Sequence, residues 1–99
     1  MAIKVTKGSH NVFRDLGFSP AEAEHLRVRA ELMLTLERLI ARRGLTQARA
    51  AKLLAVSQPR VSDLVRGRFH RFSIDALVEM LARAGVKVRF TTERGARVA

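Results

Sequence analysis

The sequence predicts a mostly α-helical domain of four to five helices that closes on one short C-terminal β-strand. Three observations carry that expectation. Apolar residues recur at three- and four-residue steps through most of residues 20–84. Ser19, Thr46, Ser57 and Ser73 each stand just ahead of such a run, where a side-chain hydroxyl can cap a helix. After Gly85 the period drops to two: Val86, Val88 and Phe90 alternate with Lys87, Arg89 and Thr91, as in a half-buried strand.

Taken in order, Ile3 and Val5 alternate with Lys4 and Thr6 and suit a short strand, and Gly8 to Asn11 reads as a turn; residues 1–18 form an N-terminal extension. Ser19, Pro20 and Glu22 make a capping box with Phe18 as its staple. Ala23, Leu26, Ala30, Met33, Leu36, Leu39 and Ile40 then mark one face of a helix over 20–43, with a break near Arg29 as the alternative. Gly44 stops it. Thr46 caps a helix running to Leu54, Ala55 and Val56 form a two-residue gap, and Ser57 caps a helix that ends at Gly67. Residues 68–72 are a basic loop. Ser73 caps a last helix over 74–84, and 86–92 is the strand. A lone strand needs a partner, either the 3–6 segment or the same strand of a second subunit.

Ninety-nine residues suit one domain, 1–99, with 30–84 as its helical core. There is no cysteine, so disulfides and thiolate metal sites are excluded. His10, His25 and His70 lack ligand spacing, and no Ser stands in a nucleophile arrangement, so neither metal, cofactor nor enzymatic activity is expected. No apolar run is long enough for a membrane span or a signal peptide, which makes the cytoplasm the expected compartment. The net charge of +10 is concentrated. Nine basic residues between Arg38 and Arg71 face a single acid, Asp63, leaving +8 on that stretch and favouring a polyanionic partner.

The segment from Leu45 to Gly67, LTQARAAKLLAVSQPRVSDLVRG, joins two short helices through a tight corner. Ala51 is small enough for close approach, Val56 can plug the corner, and Val61 and Leu64 face the core with Val65 beside them. Gln58, Pro59, Ser62, Asp63 and Arg66 are left facing outward, with Arg60 on the flank. Pro59 is tolerated because a first-turn N–H has no helical partner. A short rigid helix with a polar tip fits the DNA major groove.

These residues resemble the helix-turn-helix of lambda-repressor-like (XRE or Cro/C1-type) DNA-binding proteins, through Thr46-Gln47, Ala51, Ser57-Gln58, Val61 and Leu64. The flanking NVFRDLGFSPAEAEHLRVRAEL extends the likeness to compact XRE-type regulators, many of which resemble HigA-type antitoxins encoded beside a RelE/HigB-like toxin. The resemblance implies a homodimeric repressor of a palindromic operator in double-stranded DNA. Its alternative implication is an antitoxin that neutralises such a toxin.

Residue by residue, the resemblance makes Gln58 a base reader and gives Pro59 an apolar contact, as to a thymine methyl. It lets Asp63 accept from cytosine N4, with Arg60 and Ser62 able to reach bases or backbone. Thr46, Gln47, Ser57, Arg66, Arg68 and Arg71 are the expected phosphate contacts. Asp63 has a second reading, an ion pair with Arg60 or Arg66 at helical spacing. Phe69 and Phe72 either stack on a base or anchor the loop in the core. Dimerisation is expected through Val86, Val88 and Phe90. One position departs from the family pattern: Ala55 occupies a turn position often filled by Gly, where a left-handed backbone costs about 1 kcal/mol.

Overall fold

A computed structural model describes residues 2–5 and 12–92. The turn expected at 8–11, His10 and the tail from 93 to 99 lie outside those residues. In chain order the elements are β1 (Ala2–Val5), α1 (Val12–Asp15), α2 (Pro20–Arg42), α3 (Gln47–Leu54), α4 (Gln58–Val65), a 3-10 turn (Phe69–Arg71), α5 (Ile74–Arg83) and β2 (Lys87–Phe90).

The capping residues act as the local sequence dictates. The Oγ atoms of Ser19, Thr46, Ser57 and Ser73 accept from the backbone N–H three residues on, at 3.1–3.3 Å. That satisfies one first-turn donor at the start of each of the four long helices. Pro20 opens α2, which runs unbroken for 23 residues past Arg29. Two hydrogen bonds close α3: the Val56 N–H donates to the Ala51 carbonyl at 3.0 Å and the Ala55 N–H to the Lys52 carbonyl at 3.3 Å. This closure needs a left-handed residue. At the ends of α2, α4 and α5 that residue is Gly44, Gly67 or Gly85, but here it is Ala55, at φ 56° and ψ 45°. Ala55→Gly should relieve about 1–2 kcal/mol of steric cost and lose about 0.4–1 kcal/mol to a freer unfolded chain. The expected net gain is about 0.5–1 kcal/mol, read as a melting temperature raised by a few degrees.

α2 is the spine. It packs against α5 and α4, while α3 packs against both α4 and α5. Leu32, Met33, Leu36, Leu39 and Ile40 of α2 enter one core with Ala50, Leu54, Val61, Leu64, Phe72, Leu77 and Leu81. The buried stripe of α2 therefore includes Leu32, which the expected face omitted, while Leu26 and Ala30 are only half-buried. Val65 is a second correction: it is 39% exposed rather than beside Val61 and Leu64 in the core. Seventeen hydrophobic residues are buried, and no polar or charged residue is, among the described residues. Partial burial raises the Glu37 carboxyl above its ordinary pKa of 4.5. The folded state then holds that proton more tightly than the unfolded state, so this carboxyl subtracts stability as pH rises from 4.5 through the raised value. Glu37→Gln is accordingly expected to gain on wild type at neutral pH and not at acidic pH, in melts followed at both.

The strand question resolves within the chain. β1 pairs with β2 in parallel, with Ala2, Ile3, Lys4 and Val5 opposite Lys87, Val88, Arg89 and Phe90. A parallel pair needs a long crossover, and here the helical bundle supplies it. Two strands alone are marginal; this pair rests on the bundle, with Ile3 and Val88 packed against the core. Burial fades along β2. Val86, just ahead of it, is 2% exposed, Val88 is half-buried and Phe90 is 52% exposed. Val86 therefore has no side-chain surface to offer a second subunit. The dimer interface expected of Val86, Val88 and Phe90 reduces to Phe90 and whatever Val88 leaves uncovered.

Candidate nucleic-acid interface

α3 and α4 meet across the Ala55 corner with Val56 half-buried against the core, and Ala51, Val61 and Leu64 are buried at the contact. Because Val61 and Leu64 define the inner side of α4, Pro59, Ser62, Asp63 and Arg66 fall on its outer side with Gln58 at its tip. Gln58, Pro59 and Arg66 are exposed, and Ser62 and Asp63 are partly so. Gln58 occupies the first helical position and Pro59 the second, where proline removes a donor that had no helical acceptor. Thr46, Gln47 and Ser57 are exposed at the starts of α3 and α4. The two hydroxyls accept as caps and keep their own protons for donation to an anion.

The basic loop after α4 is tied down from two helices. Arg29 of α2 donates to the Phe72 carbonyl at 3.4 Å, and Arg60 of α4 donates to the Arg71 carbonyl. The Arg60 guanidinium also lies over the Phe72 ring, 4.2 Å from its centroid. Phe72 itself is a core residue, 1% exposed, so of its two expected roles it takes the anchoring one. Asp63 forms ion pairs with Arg71 at 3.2 Å and Arg68 at 3.5 Å, in place of the partners Arg60 or Arg66 that helical spacing suggested. Two of the five expected base readers, Arg60 and Asp63, are thus engaged within the chain. Gln58, Pro59 and Ser62 make up the rest of the set.

This is a bihelical corner that presents one capped, proline-stiffened helix beside a restrained basic loop, and residues 12–92 match the family model described as a helix-turn-helix domain. The chain belongs to that family. Among curated proteins nothing matches it. The matched helix-turn-helix domain spans α1 through β2, so α1 and the strand after α5 lie within the family unit. The α1 helix, the stacking of Arg60 on Phe72 and the role of Arg29 were missed in the sequence. α1 is one turn long, too short for periodicity, and Arg29 stands 43 residues from Phe72. Among the described residues no helix is long and apolar enough to cross a membrane, and no three His, Cys, Asp or Glu residues gather as a metal site would require.

Proposed function

We propose that this helix-turn-helix domain is a sequence-specific double-stranded-DNA-binding transcriptional regulator, acting as a homodimeric repressor on a palindromic operator. The observation that carries the reading is the exposed, rigidly capped tip of α4, with Gln58, Pro59 and Ser62 flanked by Arg66, Arg68 and Arg71. A helix of this width enters the major groove, and the arginines, Thr46, Gln47 and Ser57 supply phosphate contacts that set its register. Two copies would place their recognition helices about 34 Å apart, one turn of DNA. Fluorescence anisotropy with DNA from upstream of its own gene, against excess random duplex, tests this. Binding that survives the competitor supports an autoregulating repressor; binding that the competitor removes leaves charge alone as the cause.

For the dimer, Phe90 is the residue to change, because it is exposed at the end of β2 and its loss leaves the core intact. Phe90→Glu should shift the species seen by sedimentation equilibrium towards monomer with the helical circular-dichroism signal of the fold retained. A dimer that persists would place the interface elsewhere.

A second reading, an antitoxin that binds a small RelE/HigB-like toxin, draws support from exposed apolar residues on and just after α1, Val12, Leu16 and Phe18. Such side chains serve no purpose in a contact with phosphates. A toxin gene next to this one, whose product forms a complex that Leu16→Glu disrupts, would support it.

A further inference from the structure

We propose that Asp63 is a positioning residue that restrains Arg68 and Arg71 and so suppresses sequence-independent DNA binding, rather than a reader of bases. The inference rests on the DNA-binding reading above. Asp63 is the one acid among nine basic residues between positions 38 and 71. Its two oxygens are divided between two cations: Oδ2 meets Arg71 Nη1 at 3.2 Å and Oδ1 meets Arg68 Nη1 at 3.5 Å. The carboxylate side chain is only 16% exposed, while Arg68 is 37% and Arg71 50% exposed. The acid is therefore largely withdrawn from solvent with both oxygens engaged, and to read a cytosine it would have to surrender these partners.

Affinity for DNA of any sequence follows the number of phosphates that basic side chains neutralise, each adding about 0.9 to the salt slope. Asp63 withdraws two such side chains from that set. The restraint is soft, because an exposed ion pair is worth at most about 1 kcal/mol, and closely apposed phosphates can compete for the same guanidiniums. A loosely docked helix does not bring phosphates that close. The penalty consequently falls hardest on non-specific complexes, which widens the gap between operator and random DNA. The backbone of the loop is held separately, by Arg60 on the Arg71 carbonyl and Arg29 on the Phe72 carbonyl. Loss of the carboxylate therefore frees the two side chains and leaves the loop in place.

The test uses the full chain and a random-sequence duplex, with anisotropy followed between about 50 and 200 mM salt. Asp63→Asn should bind that duplex about ten-fold more tightly at the low-salt end, with a salt slope steeper by about 1–2 units. In an Arg68→Ala/Arg71→Ala background the same substitution should change the slope little, and Asp63→Glu should behave as wild type. Thermal melts confirm that each variant is folded. An equal gain in the arginine-free background would mean that Asp63 acts by its charge alone and would overturn the proposal. So would a variant unchanged on random DNA but weakened on the operator, the signature of a base reader. Wild-type protein that binds no duplex even at low salt would instead overturn the DNA-binding reading itself.

Discussion

Phe72→Ala is expected to cost about 3–5 kcal/mol, the range for truncating a fully buried aromatic residue. A domain of this size has only about 5–15 kcal/mol to lose, so chemical denaturation followed by circular dichroism should find the variant close to unfolding. The ring stands between two functions. The ring is buried in the common core, and the Arg60 guanidinium lies over it, 4.2 Å from its centroid. Phe72→Leu separates the two. It keeps most of the buried volume, with an expected cost of about 1–1.5 kcal/mol, but removes the surface on which Arg60 rests. DNA affinity should then fall by more than the stability loss explains, since Arg60 also holds the loop carbonyl at Arg71. A leucine variant as stable and as tight-binding as wild type would show that the stack positions nothing.

The second large effect is expected at the tip of α4. Gln58→Ala should cost about 1–3 kcal/mol of discrimination on an operator, the worth of a good bidentate base contact. It should leave binding to random duplex and its salt slope unchanged. Arg66→Ala, one helical stretch away on the same outer side, should do the reverse, weakening all sequences alike and lowering the slope by about 0.9. Competition anisotropy with operator and random duplex in parallel reads both quantities. If Gln58→Ala weakens both duplexes equally, Gln58 contacts phosphate and the reading of bases falls to Pro59 and Ser62.

How far the sequence foretold the site depended on the range of the interaction. The four caps are local, each hydroxyl bonding a backbone N–H three residues on, and the sequence placed them all. The corner at Ala55 was flagged through the resemblance, whose pattern often has Gly there, and the left-handed backbone found at Ala55 is what closing α3 requires. Helix faces were legible only in their centres. Val61 and Leu64 are fully buried as spacing implies, whereas Val65 stands to one side of their stripe and is left 39% exposed. The roles of Arg60 and Asp63 were open for the same reason. A cation and a carboxylate on the outer side of such a helix have the same local sequence whether they meet bases or a loop that folds back on them.

By itself the sequence determined the four longer helices and their capped starts, the corner from α3 to α4 and the concentration of positive charge, because hydrogen bonds within a few residues and the total of ionised side chains depend on little else. Tertiary structure alone decided that β2 pairs with β1, that Phe72 seats Arg60, and that Asp63 answers to Arg68 and Arg71. Each of these joins groups from separate elements. Such partners are chosen by how the helices pack around the common core, and no spacing along the chain encodes that choice.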